Sequence, residues 1–341
     1  AEILYVDMGY PVIKKTPKGA PSTDASVLEE LSKSHELPKL ILKYREYEKL
    51  RSTYIEGLKN EIVKSRVHTS YNLFGTTTGR LSSEKPNLQN IPNKTSIGQK
   101  IREFFKADTN HVFIIADYSQ IELRVLAHLS KDENMITMLK NRNSDIHSET
   151  ASRIFDTDIN SVSKEMRRKA KEVNFGLIYG METFGLSKSL NIPKKEAAEL
   201  IDSYFNQFPK IKGYLESIVK DAEVSTFTET LYGRKRFIRE LASTNFQLKA
   251  MGKRIAMNAP IQGTASDIMK ISMIKLEDKI KKLNSTNILL QIHDEIIVQT
   301  PNEIASKTAK LVQKEMENAT TLEVPLFVDV KQNKNLANFN N

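Results

Sequence analysis

At 341 residues the chain can bury a large core and divide into two or three subdomains. Its formal charge of +9 suits a polyanionic partner, although lysine-rich surfaces also serve solubility, and the absence of cysteine excludes a disulfide framework or a thiolate metal site. No stretch approaches a membrane span and no basic-then-apolar leader opens the chain. The expectation is a soluble, cytoplasmic protein without membrane contact, with an organellar location as the alternative. Beginning at Ala1 rather than Met, the chain reads as a processed or excised fragment.

Residues 1–13 are mostly apolar, and KKTPKGAPSTDAS at 14–26 reads as a loop feeding an N-capped helix. From Leu37 to Leu58 the spacing predicts a helix with lysines and arginines between tyrosines: either a solvated amphipathic face or one lying along a phosphate backbone. Residues 75–98, GTTTGRLSSEKPNLQNIPNKTSIG, have no hydrophobic period. Such a polar segment is functional or disordered, and Leu81, Leu88 and Ile91 punctuate it as anchors. VFIIADYS at 112–119 predicts a strand, followed by helical spacing from Ile121 to Lys140. Residues 145–255 read mostly as helix, with breaks near 156–164, 180–185, 191–193 and 232–236; 262–283 reads as another long helix. NILLQIHDEIIVQT at 287–300 predicts strand, tight turn and strand, with His293 and Asp294 at the tip. A helix at 301–318 and a strand near 324–330 follow, and the polar tail KQNKNLANFNN is expected to be loosely held.

Two acidic residues terminate apolar strands. Asp117 follows an apolar run and Asp294 sits at the hairpin tip with Glu295 beside it. Either alone is ordinary in a turn; together they could hold hard cations such as Mg²⁺, which take a few carboxylates and leave room for phosphates. Arg167, Lys171, Phe175 and Tyr179 recur every four residues. On a helix this ladder extends about 18 Å, offering two cations for phosphate oxygens and then aromatic surface for a base. A helix with core aromatics and solvated cations would show the same spacing.

The wording of these segments together resembles one family. DYSQIELR, RRKAKEVNFGLIYG and QIHDEIIV resemble the three polymerase motifs of the DNA polymerase I family, family A. TTTGRLSSEKPNLQNIP resembles its upstream nucleic-acid-contacting segment and NAPIQGTASDIMK its helix against the palm, while DIHSETA and ETLYGRKR are also family-like. The likeness runs in order over nearly the whole chain. It implies an α+β, right-hand polymerase fold: partial thumb at 1–58, palm at 59–128 and 266–341, helical fingers at 129–265. It also implies that earlier thumb helices and any exonuclease domain are absent.

By that resemblance Asp117, Asp294 and the Tyr118 carbonyl are the expected ligands of two Mg²⁺ ions, with Mn²⁺ as a substitute, and Glu295 is a supporting acid. Arg167 and Lys171 are expected on the incoming dNTP, with Lys171 assisting the leaving pyrophosphate and His147 on the same phosphates. Phe175 would stack on the nucleotide, Tyr179 would hold the template-base position, and Glu122 would exclude a ribose 2′-hydroxyl. Arg80, Gln262 and His293 are expected on the primer-end minor groove; Asn87, Asn90, Arg254 and Asn258 are further DNA contacts, with loop hydrogen bonds or helix caps as their alternative. The implied activity is template-directed DNA synthesis on a primer–template, in replication or repair, by a monomer that lacks an N-terminal portion. The alternatives are a silent DNA-binding fragment and a relative of single-subunit RNA polymerases; Glu122, Phe175 and Glu295 separate the latter.

Overall fold

The computed structural model describes residues 1–93 and 95–337. They form two compact units, one of residues 1–70 with 84–87, the other of residues 71–83 and everything from Leu88 onward. The expected boundary at 58/59 therefore falls inside the first unit. There, Asp24 caps the helix Ala25–Leu31 by accepting from the Val27 N–H at 3.0 Å, and Val27, Leu28 and Leu31 are buried. The periodic stretch from Leu37 becomes the helix Glu36–Lys49, continued by a wider turn, Leu50–Glu56, and a last turn, Gly57–Asn60.

The second unit carries the chemistry-bearing motifs. In chain order its main elements are α1 (Ser96–Arg102), β1 (His111–Tyr118), α2 (Ile121–Ser130), α3 (Ile146–Ile154), α4 (Lys164–Ile178), α5 (Phe246–Ile280), β2 (Asn287–Ile292), β3 (Glu295–Pro301), α6 (Ala305–Glu317) and β4 (Val328–Asn333). The sheet is antiparallel, ordered β4–β1–β3–β2. β-Branched runs place β1 and β3 at its centre, where both faces are covered: Ile114, Ile115, Ile296 and Ile297 are all buried. One face, with Ile114, Ala116, Ile296 and Val298, joins a core shared with Ile268 and Leu276 of α5 and Val312 and Met316 of α6. Tyr118 closes that core with a hydroxyl 2.5 Å from Ser272 Oγ and 2.6 Å from the Met316 carbonyl oxygen, to which it donates.

Four sequence expectations are revised. The helix predicted at 262–283 starts at Phe246, where the Asn245 side chain accepts from the Gln247 and Leu248 N–H groups, and passes through Pro260. Helical packing on both sides carries it past the one lost backbone donor. A subdomain boundary at 265 would cut this continuous element. Within the stretch read as mostly helix, Phe227–Glu229 pairs with Lys235–Phe237 as a short hairpin. The last strand begins at Val328 rather than near 324, because Val324 and Leu326 are buried in the connection before it. The tail is not loose as far as it is described: Lys331–Asn333 pair with β1, and Leu336 and Ala337 are buried; residues 338–341 lie outside the described residues. As far as it is described, the polar segment rests on its anchors, with Leu88 and Ile91 buried and Leu81 partly so. Among the described residues no helix is long and apolar enough to cross a membrane.

Replacing Tyr118 with Phe removes its hydroxyl bonds in the core, although Ser272 keeps its bond to the Ile268 carbonyl and the Met316 carbonyl keeps the Ala319 N–H, so the loss falls toward the lower end of the range for a buried hydroxyl. That range is about 1–3 kcal/mol of unfolding free energy, and the loss is read from the urea midpoint at constant slope.

Candidate active site

The β1–β3 register sets Asp117 directly opposite Glu295, and the β1–β4 register sets it opposite Asp329. Because side chains alternate, these three acids share the sheet face that the apolar core does not occupy. Asp294 stands in the two-residue turn between β2 and β3, where His293 takes a left-handed φ of 53°. Its carbonyl accepts the Tyr118 N–H at 3.0 Å, which ties the hairpin tip to the end of β1.

Packing around the Asp117 carboxyl, together with the negative charge of Glu295, Asp294 and Asp329, pushes it up to about 7, although the residue keeps an open edge. Burial also raises Asp294, opposed mainly by Arg80, and raises Glu295, opposed by Arg102. Crowded carboxylates of this kind fit divalent cations. Two of them, with water and substrate phosphates completing the shell, suit Mg²⁺. Among the described residues no three His, Asp or Glu side chains are grouped about one metal position, so the donor set is not an all-protein cage.

A second layer lies beside the acids. Arg80 Nη2 donates to Glu122 Oε1 at 2.7 Å and lies 3.8 Å from Asp294 Oδ1. The Tyr179 hydroxyl donates to the other Glu122 oxygen at 2.9 Å, and Gln262 lies beside the same hydroxyl. Burial and the Glu122 charge push Tyr179 up to about 12; burial raises Glu122 despite Arg80. A recess of roughly 320 Å³ opens here, lined by Arg80, Gln89, Lys270, Gln291, His293 and Asp294.

The four-residue ladder is realised on α4, with Tyr179 as its C-terminal cap. Arg167 clamps Asp145 through Nε at 2.5 Å and Nη2 at 3.2 Å. Lys171 is exposed and forms no ion pair among the described residues; Phe175 is half-buried, 5.6 Å from the His147 ring. His147 itself is buried, and that burial, aided by Arg167 and Lys171, lowers it to about 4. Burial raises Asp145, but bonds from Arg167 and Ser148 outweigh it and hold the carboxyl at about 2.

The structure thus gathers Asp117, Asp294, Glu295, Arg80, Glu122, Tyr179 and Gln262, and sets Arg167, Lys171 and Phe175 along α4, with His147 of α3 beside Phe175. Arg254 and Asn258 lie on α5; the first is exposed and the second has a buried Nδ2 without a partner among the described residues. Asn90 is exposed at the end of the turn Leu88–Asn90, whereas Asn87 falls in the first unit. Gly180 makes the α4–α5 junction: its φ is +67°, and a Cβ there would meet Arg254 Cγ at 2.9 Å and Cα at 3.1 Å.

Sequence reasoning missed Arg102, Asp145, Asn174 and Asp329. Arg102, at the end of α1, is buried, donates Nε–H to the Leu336 carbonyl at 2.7 Å and lies 3.6 Å from Glu295 Oε1. Nothing local marks it, because both partners are distant in sequence. Asp145 carried a usable signal as an N-cap before IHSET, and Asn174 lay inside the ladder motif.

The family model for DNA polymerase family A matches residues 1–338. The chain is 51% identical over 98% of its length to DNA polymerase I of Caldicellulosiruptor bescii, of which it covers 39%. It is 47% identical over 96% of its length to DNA polymerase I of Bacillus subtilis, covering 37% of that protein. It therefore spans about two fifths of the curated relatives it matches. A solved structure, the POL domain of Pol1 from M. smegmatis in complex with DNA primer-template and dNTP, superposes with a TM-score of 0.92 at 38% identity, covering 98% of this chain and 60% of that one. The likeness gives the α+β arrangement described above its place among right-hand polymerase folds.

Replacing Arg102 with Met leaves Glu295 beside the acidic row without its buried cation. The expected cost is about 3 kcal/mol of stability, partly recovered when Glu295→Gln is added, as measured by urea unfolding of the single and double variants.

Proposed function

The chain belongs to DNA polymerase family A, and from that premise we propose that it is a DNA-directed DNA polymerase, adding dNMPs to a primer 3′-hydroxyl with release of pyrophosphate. The observation that carries this reading is the chain of contacts that joins two charge sets, from Asp294 to Arg80, Arg80 to Glu122 and Glu122 to Tyr179 at the end of α4. An acidic row at Asp117, Asp294 and Glu295 adjoins a helix bearing Arg167 and Lys171. The first repels itself until cations enter; the second attracts a polyphosphate.

In this reading the sheet with β1–β4 is the palm, α3 and α4 belong to the fingers, and the first unit is a partial thumb. Mg²⁺, or Mn²⁺ in its place, held by Asp117, Asp294 and the Tyr118 carbonyl, would supply activation of the primer hydroxyl and neutralisation of the leaving pyrophosphate. The protein's own groups do the positioning. Lys171 offers its ammonium to the triphosphate, and Arg167, with Nε and Nη2 engaged on Asp145, keeps Nη1 for phosphate oxygens. Phe175 packs on the base and sugar. Arg80 and His293 border the recess that would take the primer end, Gln262 beside the Tyr179 hydroxyl joins them on the primer-end minor groove, and Asn90, Arg254, Asn258 and Asn87 are further DNA contacts. Glu122, pinned by Arg80 and Tyr179, is a rigid wall where a 2′-hydroxyl would sit. Tyr179 fills the template-base position and leaves it as the helix closes on a correctly paired dNTP.

Primer extension on a DNA template with Mg²⁺, offering dNTPs or rNTPs, tests this. Template-directed dNTP addition is expected, and DNA binding without addition would overturn the enzyme assignment in favour of a silent fragment. Asp117→Ala or Asp294→Ala is expected to slow addition by roughly 1000-fold or more while DNA binding persists, since several kcal/mol of charge stabilisation disappear and each 1.4 kcal/mol is tenfold. Glu122→Ala is expected to raise rNTP relative to dNTP incorporation; unchanged discrimination would remove the wall from Glu122.

A further inference from the structure

His147 lies in a closed hydrogen-bond chain whose direction can be worked out. Thr150 and Asn174 are 0% exposed and His147 is 3% exposed, so no solvent intervenes between them. The Thr150 hydroxyl is 2.7 Å from the Ile146 carbonyl one helical turn back and 3.4 Å from Asn174 Oδ1; its one proton goes to the much shorter contact, where the carbonyl can only accept. The same oxygen, 3.0 Å from the Asn174 amide nitrogen, must then accept. That places the Asn174 NH₂ on the side of Thr150 and His147, and the second amide proton falls to His147 Nδ1 at 3.2 Å. A neutral imidazole that accepts at one nitrogen carries its proton on the other.

The other nitrogen is left for a ligand. Nε2 makes no hydrogen bond among the described residues. It is not one of the sealed orphan atoms either, which among those residues are Tyr204 Oη, Thr228 Oγ1 and Asn258 Nδ2. The ring is further held by Phe175, at 5.6 Å and 57°. The charged groups acting on it are Asp145 at the start of α3 and Arg167 and Lys171 on α4.

We infer that Asn174 is a positioning residue that fixes His147 as the tautomer protonated on Nε2, making it an uncharged hydrogen-bond donor to a nucleoside triphosphate on α4. The inference rests on the proposed triphosphate site. Two cations already flank that site, and an uncharged donor adds direction to the phosphate contacts without a further charge to desolvate.

The tautomer is tested without reference to activity, by ¹⁵N NMR of histidine-labelled protein, the His147 signals being identified by their loss in His147→Gln. With 6 histidines in the chain the spectrum is tractable. Protonated Nε2 and bare Nδ1 at neutral pH are expected. Protonated Nδ1, or an even mixture, would overturn the inference, and because the tautomer is read in the wild-type protein this holds even if Asn174→Asp does not fold. Asn174→Asp presents only acceptors, so Nδ1 takes the proton and Nε2 becomes a lone pair facing phosphate. The KM for dNTP in primer extension should rise by about tenfold at alkaline pH, the worth of one hydrogen bond to a charged group. It should recover as pH falls, because the new carboxylate favours the doubly protonated ring, which regains Nε2–H. An unchanged, pH-independent KM would remove His147 from the triphosphate even with the tautomer as stated. Wild-type protein that extends no primer would instead sink the polymerase reading and leave the tautomer standing.

Discussion

One backbone contact, the Tyr118 N–H to the Asp294 carbonyl, fixes where Asp117, Asp294 and Glu295 sit relative to one another. It extends the β1–β3 ladder into the turn, so the end of one strand and the tip of a distant hairpin share a register. Because side chains alternate with period two, a slip of one residue would send Asp117 into the apolar core and bring Tyr118 to the acidic face. The burial of Tyr118 against Ser272 and Met316 guards against that slip from the opposite side. The same residue thus anchors the core through its ring and the site through its backbone. Packing α5 and α6 on one face is the condition for displaying acids on the other.

The site is also organised by unequal pairing of charge. On the acidic side there are more carboxylates than cations, since Arg80 is shared between Glu122 and Asp294 and Arg102 serves Glu295 and a carbonyl. Along α4 the sign reverses: Arg167 has one partner in Asp145, and Lys171 projects into solvent. Each half is left short of its counter-ion, so a ligand carrying cations on one side and phosphates on the other relieves both. This is preorganisation in the electrostatic sense, because the groups are held by strand register and helix packing before the ligand arrives.

Much of this was legible in the sequence because it is local. A β-branched run ending in Asp, a hairpin with His-Asp at its tip and a ladder every four residues each follow from the period of one element, and their order along the chain pointed to the family. What escaped is what distant packing decides. The start of α5 at Phe246 hid behind polar spacing and Pro260, which reads as a break unless neighbouring elements hold the helix through it. The strand Val328–Asn333 is polar in its second half because it lies at the sheet's edge, paired with β1 alone, so its residues looked like a tail. Arg102 and Asn174 act through partners that only the folded chain brings near, and no spacing rule finds a lone buried arginine or asparagine.

Gly180 bears on how this surface tolerates change. It sits one residue beyond the ladder, in a backbone conformation that side chains resist, with the Arg254 main chain in the space a Cβ would take. Substitutions at 167, 171, 175 or 179 alter what the helix presents and leave its path intact. Any substitution at 180 must shift α4 against α5 and carry the whole face with it. In a library built to vary what this helix presents, diversity belongs on the first set of positions, and position 180 is where variants would be lost before their chemistry could be sampled.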